Sequence, residues 1–134
     1  MHARLPNFLQ YLILKLFHVY VIVVDGAIHR AAGPNLLKEN REHGGCKDGE
    51  AVISGGYRLP AKYIISTVGP RGEKPEILHN AYTNCLLKMK ENKLRSIAFP
   101  CISTGVYGYP NDAACNVALR ATKAFLQEYH EVNF

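Results

Sequence analysis

The run Ala98-Phe99-Pro100-Cys101-Ile102-Ser103-Thr104-Gly105-Val106-Tyr107-Gly108-Tyr109-Pro110 sets the frame for the rest of the chain. Residues 96–100 read as a short apolar strand of the kind buried on both faces of a parallel sheet. Beyond Pro110, Asn111 or Asp112 can cap a helix, and Ala114, Val117, Ala118, Ala121 and Phe125 recur at the spacing of one helix face. Strand, glycine loop and helix N-terminus follow one another, and open α/β sheets bind ligands at the carboxyl ends of their strands. Gly105 and Gly108 let the backbone approach a ligand closely. Successive free N–H groups in such a loop form an anion cradle, assisted by the helix behind it. A diphosphate is the natural guest, and Tyr107 can pack against a sugar. A plain glycine-rich turn accounts for the same residues.

Working outward, helices and strands alternate. Pro75 starts a helix whose apolar residues Leu78, Ala81, Tyr82, Cys85, Leu86 and Met89 form a single buried stripe. Ala51–Ile53 and Tyr63–Val68 read as strands, separated by the turn signals Gly55-Gly56 and Pro60. Asp25 to about Arg41 reads as one helix, with Asp25 as N-cap and Gly44-Gly45 as its end. Glu131–Phe134 looks like the start of another strand. The alternation predicts helices packed on both faces of a mostly parallel or mixed sheet. Asp25 and His29 stand four apart and so share a helix face. A carboxylate at a helix N-terminus is held as the anion and can orient or deprotonate a water or a ribose hydroxyl. On these residues alone, Asp25 as a mere cap with His29 an ordinary half-buried histidine is the better account of the pair.

The 134 residues suit one domain, and 48% hydrophobic with 20% charged residues is a globular balance. The net charge of +5 and a pI near 9.1 favour anionic ligands. The basic residues form no dense block, so no specific nucleic-acid partner is expected. Cys46, Cys85, Cys101 and Cys115 include no C-x-x-C pair and read as reduced, mostly buried thiols of an intracellular protein. Phe8 to Val24 is nearly continuous apolar sequence broken by Gln10, Lys15 and His18. It admits three readings: a buried strand over Val19–Val24, a membrane segment slightly short of the roughly 20 residues a span needs, or sequence foreign to the domain.

Three stretches in order resemble the MacroD-type macrodomains: V-D-G-x-I-H-x-A-A-G-P from Val24 to Pro34, G-G-Y-x-L-P-A-K-Y from Gly55 through T-V-G-P at Pro70, and A-F-P-x-I-S-T-G-V-[FY]-G-Y-P from Ala98 to Pro110. The resemblance implies a three-layer α/β/α fold with a mixed central sheet. It implies binding of ADP-ribose or O-acyl-ADP-ribose and hydrolysis of the ester joining ADP-ribose to Asp or Glu of mono-ADP-ribosylated proteins, with neither metal nor cofactor. It implies Asp25 as catalytic carboxylate, His29 as its support, and Gly26 and Ile28 at the pocket. Ser103, Thr104, Gly105, Val106, Tyr107 and Gly108 would hold the diphosphate and distal ribose. The family also has an adenine-recognising acidic residue, an N-A-A-N segment and a glycine run ahead of V-D-G, where this chain has Val21-Ile22-Val23-Val24. The expectation is therefore a non-family segment over 1–23 and a macrodomain over 24–134 that is truncated at both ends. A binding module or an inactive fragment is the alternative to an enzyme. The compartment implied is cytoplasm or nucleus, with the mitochondrion left open.

Overall fold

The computed structural model describes Tyr20, Val21 and residues 26–129. The expected cap Asp25, the rest of the Phe8–Val24 run and the strand expected over Glu131–Phe134 lie outside the described residues. The elements in chain order are β1 (Tyr20–Val21), α1 (Gly26–Ala32), α2 (Pro34–Glu42), β2 (Ala51–Gly55), β3 (Tyr63–Thr67), α3 (Pro75–Glu91) and α4 (Asn111–Glu128). The sheet order is β1-β3-β2, with β1 parallel and β2 antiparallel to β3. The sheet is thus mixed, as the alternation predicted.

Consecutive strand residues point to opposite faces, and in β3 both of the central pair are buried. Ile64 packs against Ile28, Ala32 and Leu36 of α1 and α2. Ile65 packs against Cys85, Leu86 and Met89 of α3 and Phe125 of α4. Helices therefore cover both faces, the three-layer arrangement expected. The α3 stripe is buried at each of its six expected positions. On α4, Ala114, Ala121 and Phe125 are buried while Val117 and Ala118 are half-buried.

Four sequence expectations are corrected. The single helix expected from Asp25 to Arg41 is two helices, because Pro34 has no N–H to donate and disfavours helical geometry at the residue before it. Gly33 accordingly takes φ 89° and ψ −179°, which only glycine adopts at low cost. Residues 96–100 form no strand: Ala98 is buried, and Ile97 and Phe99 pack against the core, but no described residue pairs with their backbone. Apolar sequence reported burial there, whereas a ladder also needs a neighbour. The cap of α4 is Pro110 rather than Asn111 or Asp112, and its carbonyl accepts from the Ala114 N–H at 2.9 Å. Of the four free cysteines only Cys85 is buried; Cys46 is half-buried, and Cys101 and Cys115 are exposed. Among the described residues no helix is long and apolar enough to cross a membrane.

Ile65→Ala should lower unfolding free energy by about 2–5 kcal/mol, whereas Leu119→Ala on the exposed face of α4 should stay within about 0.5 kcal/mol. Urea titration of both variants measures the contrast. Burial pushes the Cys85 thiol from 9.0 up to about 12, with a hydrogen bond to Thr67 pulling the other way. The folded chain keeps that proton after the unfolded chain has lost it, so stability should fall as pH rises above 9. Alkylation at pH 8 should label Cys101 and Cys115 in the folded chain and reach Cys85 only on unfolding; early labelling of Cys85 would contradict its burial.

Candidate functional site

Because β1 and β3 are parallel, their carboxyl ends lie at one edge of the sheet. The chain leaving β1 enters α1 at Gly26, and the chain leaving β3 runs through Val68-Gly69-Pro70. The loop carrying Ser103 to Gly108 is seated on that second exit. A Cβ on Gly69 would collide with Ser103 Oγ and lie 2.5 Å from Ile102 Cγ2, so glycine is what admits the loop there. Ile102 and Tyr109 anchor its two ends in a cluster with Leu78 and Tyr82 of α3 and Ala114 and Ala121 of α4. Phe99 meets Tyr82 edge-on, their ring centroids 5.0 Å apart.

Between its anchors the loop is closed by its own backbone. The Tyr109 N–H donates to the Ser103 carbonyl at 2.9 Å and the Gly108 N–H to the Gly105 carbonyl at 3.0 Å. Thr104 Oγ1 donates to the Cys101 carbonyl at 3.2 Å. Ser103 and Gly108 both take positive φ, 63° and 71°. The strain at Ser103 is the larger, since it carries a Cβ. The consequence is a row of donors: among the described residues, the N–H groups of Ser103, Gly105, Val106 and Tyr107 have no hydrogen-bond acceptor, while Thr104 closes a tight turn on Cys101. Gly105, Val106 and Tyr107 are exposed, so this row can take an anion from solvent. The Ser103 hydroxyl is buried without a partner among the described residues.

A second segment supports the loop from outside. The Gly72 N–H donates to the Tyr107 carbonyl at 2.8 Å, and the Arg71 guanidinium carbon lies 5.4 Å from the Tyr107 ring centroid. A cation there adds positive potential beside the donors. Arg71 and Gly72 were not singled out in the sequence, and Gly69 entered only as part of the T-V-G-P run. Their signal was Gly69-Pro70 directly after an apolar strand, a strand exit at which a ligand loop can be received.

The α1 residues are placed differently. Ile28 is buried in the core with Ala32, Leu36 and Ile64. His29 is half-buried and lines a cleft of about 240 Å³ with Asn40, Cys46 and the Ser66–Val68 strand end, its Nδ1 buried without a described partner. The structure thus assembles Ser103 to Gly108 into one loop and puts His29 at the same strand end. Asp25 lies outside the described residues, and no described contact joins Gly26, Ile28 or His29 to the loop.

The Macro domain family model matches residues 22–118. The ADP-ribose glycohydrolase MACROD2 of Xenopus laevis is 56% identical over 111 residues, covering 78% of this chain and 27% of that protein. The O-acetyl-ADP-ribose deacetylase of Salmonella typhimurium is 51% identical over 115 residues, covering 79% of this chain and 64% of that protein. The crystal structure of a Trypanosoma brucei macrodomain in complex with ADP-ribose superposes with a TM-score of 0.80 at 44% identity, covering 85% of this chain and 53% of that one. The chain spans about a quarter of the length of the MACROD2 proteins it matches.

Gly69→Ala should push the loop off the strand end and cost about 1–3 kcal/mol of stability. Amide chemical shifts should move for Ile102 to Gly108 while those in the middle of α3 stay put. Unchanged loop amides would show that the loop does not rest on Gly69.

Proposed function

The chain belongs to the Macro domain family, and from that premise we propose that it binds ADP-ribose and hydrolyses ADP-ribosyl esters, those of O-acetyl-ADP-ribose and of Asp or Glu on mono-ADP-ribosylated proteins. The observation that carries the reading is the row of open N–H groups of Ser103, Gly105, Val106 and Tyr107 at a strand end. Hydrogen bonds from neutral donors to an anion are worth more than neutral pairs, and several donors along one loop suit a diphosphate better than a single carboxylate. Tyr107, with the Arg71 guanidinium 5.4 Å from its ring centroid, would flank the distal ribose. The relatives named as a glycohydrolase and a deacetylase both act on ADP-ribose derivatives, which agrees with this guest.

In the proposed reaction one water is consumed, the ester C–O bond breaks, and ADP-ribose and the free acid leave. Asp25, ahead of α1, would orient the water as its base, Gly26 would allow close approach, Ile28 would wall the pocket, and His29 would hold α1 against the strand end. The Ser103 to Tyr107 donors would hold the diphosphate and so fix the ester beside that water.

Calorimetric titration of the whole chain with ADP-ribose should give one-to-one binding. Asp25→Ala should lower turnover of O-acetyl-ADP-ribose by about 100-fold or more while leaving much of the binding. Turnover that survives the substitution would remove Asp25 from its role. A folded chain that binds no ADP-ribose would overturn the reading, and binding without turnover would make the chain a recognition module.

A further inference from the structure

The break between α1 and α2 opens another cleft, of about 380 Å³, lined by His29, Arg30, Gly33, Pro34, Leu37 and Arg58. No residue of the 103–109 loop lines it, and no carboxylate does. Arg30 and Arg58 are exposed, and among the described residues neither has an ion-pair partner. Arg58 is nevertheless held in place. Its backbone N–H donates to the Ala32 carbonyl at 3.3 Å, and its side-chain Cδ and Nε lie 3.2 Å from where a Cβ on Gly33 would stand. The guanidinium stem therefore rests on a glycine instead of sweeping through solvent. Lys38 and Arg41 follow Pro34 and Leu37 by four residues, so α2 adds two exposed cations on the same face. The carboxylate of Glu39, the acidic residue between them, is taken up by the Tyr57 hydroxyl and the Gly55 N–H.

We propose that this cleft binds an acidic segment of the protein that carries the ADP-ribose, so that charge beside the modified residue helps choose the target. The inference rests on the function proposed above for the loop and α1. Two guanidinium groups at one cleft are suited to paired, bidentate capture of carboxylates. The distance also fits. α1 has seven residues, which is about 10 Å. On the function proposed above, Gly26 would stand at its ligand end, with Arg30 towards the other. An extended peptide covers that length in about three residues, so acidic side chains a few positions from the modified one reach Arg30 and Arg58. The Pro34 and Leu37 side chains supply an apolar floor for the peptide stem.

The test uses the full chain and hexaglutamate as the unmodified acidic probe, titrated at low salt. Hexaglutamate should bind, and Arg30→Gln/Arg58→Gln should weaken it about tenfold while leaving ADP-ribose affinity unchanged within about twofold. Arg30→Lys/Arg58→Lys keeps the charge and should retain part of the binding; thermal melts of both variants confirm that they fold. A mono-ADP-ribosylated peptide with glutamates flanking its modified residue should bind more tightly than the same peptide with alanines, and the Gln variant should erase the difference. Hexaglutamate that fails to bind, or that binds the Gln variant equally well, overturns the proposal. If ADP-ribose does not bind but hexaglutamate binding still depends on Arg30 and Arg58, the cleft stands as an acidic-peptide site and the ADP-ribose reading falls alone.

Discussion

Two adjacent residues of β3 hold the two helix layers to a single strand. Ile64 and Ile65 are almost wholly buried, on opposite faces, because the pleat leaves neighbouring side chains no other choice. Ile64 holds α1 and α2, and Ile65 holds α3 and α4. Slipping the strand by one residue would exchange the faces and set both clusters against the wrong partners. The antiparallel pairing of Ile65 with Ile53 and Ile64 with Ser54 fixes that register on one side, and the parallel pairing of Val21 with Ile65 fixes it on the other. Everything at the carboxyl end of β3 inherits its position from this pair.

The strand exit turns that position into chemistry. Gly69 leaves room for Ser103, and the loop is pinned at Ile102 and Tyr109 by a cluster that α3 and α4 build together. With both ends buried, the middle of the loop is closed by its own hydrogen bonds, and Gly105, Val106 and Tyr107 stay exposed. The anion site proposed for this loop would need no charged side chain in contact with the ligand. Its donors would be fixed before the ligand arrives, so little ordering entropy would be lost on binding.

Much of this was legible in the sequence, and the exceptions have physical causes. The α3 stripe was readable because helix periodicity and burial report the same thing there. The 96–110 segment was readable as a buried stretch, a glycine loop and a helix start, although its strand is absent, because apolar sequence encodes burial and leaves the pairing partner unspecified. The break at Gly33-Pro34 was visible as two residues and was missed because the apolar spacing of Ile28, Ala32 and Leu36 runs straight through it. The contact between Gly69 and Ser103 joins residues 34 positions apart, and no local pattern announces such a contact. Asp25 shows the opposite case: its role was read from a motif alone, and the described residues leave it without a geometry.

The helix break links the site to the surface beside it. An unbroken helix from Gly26 to Glu42 would be straight, and its 17 positions would carry Leu37 and Arg41 some 16 Å or more along one axis from Gly26. The turn at Gly33-Pro34 shortens that path and makes the concave corner in which Arg58 lies on Gly33. Replacing Gly33 would strain a φ of 89° and press on Arg58 at the same time, so one residue governs both the backbone turn and the guanidinium beside it. The same seven residues of α1 thus face the strand end through His29 and the corner through Arg30. A ligand held at one end and a peptide held at the other would be read by a single short helix, which makes their relative placement a matter of helix geometry instead of loop motion.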